Sequence, residues 1–346
     1  MATALDKFVY DAAQAARVSW FFGQKLLAAR LTRPMPLPER LRGREMPDRA
    51  RILADLRKLL EQDWRNIEAG LYAPPDDWRG SLVAELVRAV DFFADLGAVD
   101  ARRHGDRRDR RINRPEAAGY PAYYRQHFHF QSDGYLSAAS ARRYDHQVEV
   151  LFGGGAAAMR RQALVPLRDA LAERAGGARK ARLLDIGCGT GTFLAEIKRN
   201  HPRLSVTGSD LSAPYLAVAR RRLAAWSRVA LAEANAETLP FADASFDIVT
   251  CVYLFHELPH RARAAVAHEI RRVLRRGGKL IVVDSLQTGD EPDYDAMLEW
   301  FPVAFHEPYY ASYLREDLSR LFAPGLSQAG VIPAYLSKVV SFQRES

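Results

Sequence analysis

The chain has only two cysteines, Cys188 and Cys251, among 346 residues. That scarcity excludes a disulfide framework and fits a reducing compartment. No run of about eighteen apolar residues occurs, so a membrane span is not expected. The opening residues, MATALDKFVYDAAQAARVSWFF, lack a basic stretch followed by an unbroken apolar core, and do not read as a secretory signal. Lysine is also scarce, since arginine supplies most of the 50 basic residues. Basic and acidic side chains are spread evenly over the two halves, so the net charge of +8 builds no nucleic-acid-binding domain. These absences predict a cytoplasmic protein with no membrane partner and with nucleic acid disfavoured. What is present, 48% hydrophobic and 27% charged residues, is the composition of a globular chain long enough for two domains.

Residues 1–155 read as a mainly helical extension. In PDRARILADLRKLLEQDWRNIEAG the residues Ile52, Leu53, Leu56, Leu59, Leu60, Trp64 and Ile67 recur at helical spacing, with Asp48 as the start signal and Gly70 as the stop. An earlier helix covers much of 5–31. A later one ends at Gly97, with Leu82, Leu86, Val90 and Phe93 expected on its apolar side. The arginine-rich run RRHGDRRDRRINR (102–114) reads as a solvated loop, with an anion contact as the alternative. The aromatic stretch YYRQHFHFQSDGYLS (123–137) follows, then a helix with Ser137 as its cap and Gly153 to Gly155 as its end.

Residues 156–346 form the second unit. A helical segment divided near Pro166 leads into alternating strands and helices: ARLLDIG, FLAEIKRNH, RLSVTGSD, PYLAVARRRLAAW, FDIVTCVYLF, RARAAVAHEIRRVL and KLIVVDS. This rhythm implies an α/β fold with a doubly wound, mostly parallel sheet. LLDIGCGTGTF sets glycines between a strand and a helix, where backbone can pass close under a ligand. Dinucleotide enzymes use such a turn too, but their fingerprint wants Gly or Ala where Thr192 stands. Asp210, at the end of the second strand, suits a ribose in either case.

Two further segments, NAETLPFADASFD and VLRRGGKLIVVD, complete a resemblance. With DIGCGTG and Asp210, they make the chain resemble the class I S-adenosylmethionine-dependent methyltransferases. The nearest look is that of the ubiquinone/menaquinone-biosynthesis type of small-molecule enzyme. The resemblance covers roughly 156–346 and leaves the helical extension unmatched; Asn235 stands where many relatives carry Asp. It implies a Rossmann-like methyltransferase sheet and S-adenosylmethionine as cofactor. It also implies a cofactor site of Asp185, Gly187, Cys188, Gly189, Gly191, Asp210, Leu211, Asn235, Ala236, Cys251 and Tyr253. Arg161 would meet the cofactor carboxylate.

Methyl transfer needs an aligned acceptor, excluded water and, for some acceptors, a proton acceptor. His256, after the fourth strand, is a candidate base. His129 is a candidate acceptor contact, and Tyr144 a third catalytic candidate. Tyr123, His127, His129 and Tyr135 are expected to roof the acceptor pocket, together with an aromatic segment bearing Trp300, Phe301, Phe305, His306, Tyr309 and Tyr310. No metal site is expected, because no carboxylate pair or cysteine set accompanies His127 and His129 in the sequence. The expected acceptor is a small, aromatic or apolar metabolite, and a homodimer through the helical extension is a further expectation. Cleavage or cyclisation of the same cofactor is the alternative activity. RNA or protein methylation and a non-catalytic binding role rank lower.

Overall fold

The computed structural model describes residues 3–76, 82–105, 111–113, 117–174, 176–323 and 325–345. Much of the arginine-rich run, including Arg107, Arg108, Arg110 and Arg114, lies outside the described residues, as do residues 78–81 at the start of the expected third helix.

Helices α1 (Ala4–Leu31), α2 (Arg49–Glu68), α3 (Leu82–Arg103) and α4 (Ala138–Leu151) form the N-terminal part. Asp48 caps α2 by accepting from the Arg51 amide, and Ser137 caps α4 by accepting from the Ser140 amide. Two expectations fail here. Helix α3 runs through Gly97 to Arg103, because a single glycine costs only about 1 kcal/mol in a helix that other contacts hold. Its expected apolar face is also turned outward: Leu82, Leu86 and Val90 are exposed, as is Leu53 on α2. The side that meets α4 combines Ala89 and Phe92, whose ring lies 5.9 Å from that of His146, with polar pairs. There Asp95 accepts from the Ser132 hydroxyl at 2.6 Å and faces Arg143 at 3.4 Å, while Glu85 lies 3.8 Å from His146.

Helices α5 (Ala156–Arg161), α6 (Leu164–Ala172) and α7 (Gly177–Lys180) lead into the sheet. There follow β1 (Arg182–Ile186), α8 (Thr192–Asn200), β2 (Ser205–Asp210), α9 (Ala213–Leu223), β3 (Val229–Glu233) and β4 (Phe246–Val252). Next are α10 (His260–Val273), β5 (Leu274–Ser285), α11 (Asp295–Phe305), α12 (Tyr310–Tyr313) and α13 (Leu318–Phe322). The strands β6 (Leu326–Ala334) and β7 (Ser337–Arg344) come last.

The sheet order is β3-β2-β1-β4-β5-β7-β6, with β1 to β5 parallel and β7 antiparallel to both β5 and β6. The doubly wound, mostly parallel α/β sheet expected from the alternation is therefore present, with a terminal antiparallel hairpin added. Successive strand residues point to opposite faces. Leu183, Ile248 and Ile281 pack with residues of α6, α8 and α9, whereas Leu184, Val249 and Leu280 pack with residues of α10 and α13. Strand order reverses between β1 and β4, and the carboxyl ends of the strands there open a crevice, the usual ligand position in such sheets.

Candidate active site at the strand ends

The turn after β1 is held open by its own hydrogen bonds. Asp210 accepts the Gly189 amide on Oδ2 and the Ser212 amide on Oδ1, each at 2.8 Å. A carboxylate has about four acceptor positions, and the Leu211 amide also lies against this one, so the group keeps acceptor capacity for a hydroxyl. A Cβ added to Gly189 would meet nothing within 4 Å, so the loop leaves space on its ligand side. Gly191 has a different task. With φ +75° and an imagined Cβ 3.0 Å from Ala219 Cβ, it lets α8 start tight against α9. Asp185 is buried at the end of β1, where its Oδ1 accepts the Thr250 hydroxyl at 2.6 Å. Burial pushes its carboxyl from the ordinary 3.8 up to about 7.

A cavity of about 90 Å³ lies against this loop. Gly187, Gly189, Asp210, Leu211, Asn235 and Ala236 form its sheet side. Tyr253, at φ +55°, forms another wall, and its hydroxyl lies 3.2 Å from that of Ser337. The opposite side is aromatic: Tyr123, Tyr124, Tyr135, Tyr144 and Tyr215. Tyr123 donates to Glu237 at 2.7 Å, and Tyr144 meets the rings of Tyr135 and Tyr215 edge-on. The aromatic stretch of the extension thus reaches the crevice, as its composition suggested.

Several expected site residues are elsewhere. Cys188 and Cys251 are both buried in the apolar cores of the sheet, and neither lines the cavity. Cys188, in the turn after β1, packs toward Gly208 of β2, and Cys251 of β4 packs with residues of α10. Arg161 is fully buried away from the cavity, where it donates to Asp63 from Nε at 3.0 Å and from Nη2 at 2.6 Å. Asp63 also accepts the hydroxyls of Tyr10 and Tyr72, each at 2.7 Å. This cluster joins α1, α2 and α5. His127 turns into the protein interior, its Nδ1 3.1 Å from the Gln131 carbonyl oxygen, and does not line the cavity.

His256 and His129 stand behind the cavity wall. His256 Nδ1 is 2.6 Å from Asp284 Oδ1. Burial works against the imidazolium, but the Asp284 carboxylate outweighs it and raises the ring to about 9. A ring held protonated by a buried partner is poorly suited to accept a further proton. His129, at φ +55°, is pushed down to about 3 by burial. Its Nε2 lies 3.1 Å from Glu307 Oε1 and 3.9 Å from Glu257 Oε1. The expectation that no carboxylate pair would join these histidines is therefore corrected, because Glu257 and Glu307 converge on His129 from distant parts of the chain. Glu257 also lines the cavity and accepts the Tyr135 hydroxyl. Burial pushes the carboxyls of both Glu257 and Glu307 upward.

Sequence reasoning placed no role on Glu307, Asp284 or Asp145. Asp145 accepts the Thr190 hydroxyl at 2.7 Å and pairs with Arg222 at 2.6 Å, which ties α4 to the glycine turn. Its position beside Tyr144 was the one available signal.

The family model described as "Methyltransferase domain" matches residues 183–278. The demethylmenaquinone methyltransferase of Lactiplantibacillus plantarum is 33% identical over 180 residues, 48% of this chain and 74% of that protein. That of Thermus thermophilus is 36% identical over 145 residues, covering 42% of this chain and 61% of that one. A solved S-adenosylmethionine-dependent methyltransferase from Aquifex aeolicus is 15% identical, with a TM-score of 0.43 over 60% of this chain and 99% of its own. The chain belongs to the class I S-adenosylmethionine-dependent methyltransferases and, within them, resembles the ubiquinone/menaquinone type. It spans about half the length of the first curated relatives, from 44% to 61%. No described helix is long and apolar enough to cross a membrane.

Proposed function

We propose that the protein transfers the methyl group of S-adenosylmethionine to a small aromatic or apolar metabolite. The observation that carries this reading is a single cavity with a cofactor-type sheet side and a tyrosine-rich opposite side. The cofactor fits the residues present. Asp210 keeps acceptor capacity for a ribose hydroxyl, Gly189 leaves open space, and Asn235 with Ala236 flanks the position of an adenine edge. Leu211 adds an apolar surface beside Asp210. When bound, the cofactor supplies an electrophilic methyl group on a sulfonium centre.

The protein's own contribution is alignment and exclusion of water. The cavity, about 90 Å³, is smaller than the roughly 300–1,000 Å³ of ligand pockets. Binding therefore requires the tyrosine side to draw back, and the helical extension acts as the cover. Tyr135 and Tyr144 present flat apolar faces to an acceptor, and Glu257 brings an ionisable group to the wall where an acceptor hydroxyl would meet it. The relatives' names suggest a demethylated naphthoquinol as the first acceptor to try.

The test is to incubate the full chain and cofactor with and without that quinol, and to measure products by mass spectrometry. S-adenosylhomocysteine formed only with acceptor, matched by methylated quinol, is the expected result. Methylthioadenosine formed without acceptor would replace the reading with cofactor cleavage. Failure to bind S-adenosylhomocysteine in calorimetry would remove both.

A further inference from the structure

We propose that His129, Glu257 and Glu307 form a binding site for a divalent first-row transition-metal ion, immediately behind the cavity wall.

One ligand atom from each of the three lies within 4.8 Å of the others. Metal–nitrogen and metal–oxygen bonds of about 2.0–2.2 Å place neighbouring donors about 3.0–3.5 Å apart. His129 Nε2 and Glu307 Oε1, at 3.1 Å, already have that spacing. Glu257 Oε1, 3.9 Å from the same nitrogen, needs a shift of about half an ångström, within reach of a side-chain torsion.

The second observation is independent of the spacing. Glu307 is 0% exposed, and apart from the 3.1 Å approach of His129 Nε2, which does not complete a hydrogen bond, neither of its carboxylate oxygens has a partner among the described residues. Burying a carboxylate unpaired costs several kcal/mol, so buried acids pair, take up a proton or bind metal. Asp284 accepts the Phe255 and Ser285 amides and meets His256 Nδ1, and Glu257 accepts the Tyr135 hydroxyl, so among the described residues Glu307 is the carboxyl group of this cluster with no such donor. Glu307 therefore presents unclaimed acceptor positions beside His129 and Glu257, which a cation would fill.

The supporting structure is consistent with a built site. His129 and Phe130 both hold left-handed backbone conformations, at φ +55° and +56°. Such strain in non-glycine residues persists where the surrounding structure fixes a side chain in place. Glu257 is oriented by the Tyr135 hydroxyl, the kind of outer partner that metal ligands usually have. The three ligands come from three separate segments: the turn Phe128–Phe130, the turn Phe255–Glu257 after β4, and the residues after α11. An ion would cross-link the cover to the sheet. An imidazole with two carboxylates suits zinc, iron(II) or manganese(II) better than calcium or magnesium, which prefer all-oxygen sets.

The inference does not depend on methyl transfer, and its test reads metal content alone. Untagged full-length protein is stripped with a chelator and dialysed against Zn²⁺, Mn²⁺ and, without oxygen, Fe²⁺. Bound metal is then measured by mass spectrometry. The expected result is about one ion per chain, with Glu307→Gln and His129→Ala each weakening binding by about 100-fold or more. Circular dichroism and thermal melting control for folding. Glu307→Gln removes a buried charge and keeps the shape, so the stripped variant is expected to melt no lower than the stripped parent. No retained ion at micromolar free metal, or equal binding by a folded Glu307→Gln, would overturn the proposal and leave the carboxyl groups to hold protons instead.

Discussion

Replacing Asp63 with alanine probes the link between the helical extension and the sheet. The carboxylate accepts from Arg161 Nε and Nη2 and from the hydroxyls of Tyr10 and Tyr72, all buried. Removing one member of a buried ion pair costs about 3–5 kcal/mol, because the remaining charge stays desolvated. The two phenols soften the loss of their own bonds. Tyr10 also donates to the Leu60 carbonyl at 3.2 Å, and Tyr72 receives the Asn66 amide at 3.2 Å. The net expectation is a loss of about 4 kcal/mol, a large share of the roughly 5–15 kcal/mol typical of a folded domain. Urea unfolding followed by circular dichroism and by tryptophan emission would measure it, since Trp64 packs 5.3 Å from the Tyr10 ring. The paired change Asp63→Leu with Arg161→Met should cost less than Asp63→Ala, because Arg161 is then not left charged beside a missing partner. A loss below about 1 kcal/mol for Asp63→Ala would refute this account. So would an Arg161→Met protein that is fully stable yet weak in binding S-adenosylhomocysteine, which would return Arg161 to the cofactor.

Three further outcomes are expected. Asp210→Ala removes a charged acceptor and should weaken S-adenosylhomocysteine binding by about 1.5–3 kcal/mol, roughly ten- to a hundredfold, in calorimetry. Asp185 is raised from 3.8 to about 7 by burial, so between those values the folded protein binds more protons than the unfolded one and stability falls as pH rises. Asp185→Asn keeps the Thr250 bond and should gain stability relative to the parent from about pH 4 upward, levelling near pH 7 at no more than about 4 kcal/mol; an unchanged pH profile would contradict the assigned burial cost. Gly134→Ala places a Cβ against the Gln126 carbonyl oxygen at φ +52° and should lower the melting temperature by several degrees; an unaltered melt would show that the aromatic segment is loosely held.

The sheet and its glycine turn were legible because their signals are local. The strand LLDI, the turn after it and Asp210 at the end of β2 need no knowledge of distant partners. Charged residues were not legible in the same way. Arg161 looked like a ligand for a cofactor carboxylate, but Asp63, 98 positions earlier, is its carboxylate. Glu307 in a stretch full of aromatics carries no mark that distinguishes it from a solvated acid; its meaning comes from His129, brought to it by the tertiary fold. Periodicity showed that α3 has two faces, yet not which face would be covered. Asp95 and Glu85 found Arg143 and His146 on α4, and Leu82, Leu86 and Val90 were left outside.

The antiparallel hairpin carries a kinetic consequence. Strand β7 lies between β5 and β6, so β6 cannot join the sheet before β7 does, although it is nearer to β5 along the chain. The two strands share a short turn at Tyr335, which favours their pairing with each other before either docks, since nearby contacts close fastest. Docking then pairs Val339 with Val283 and brings Ser337 to the Tyr253 hydroxyl. One wall of the cavity is thus supported by the hairpin that joins the sheet as a unit. Amide exchange during refolding should show protection at the glycine turn preceding protection at Leu286, whose amide donates to the Leu336 carbonyl at 3.1 Å.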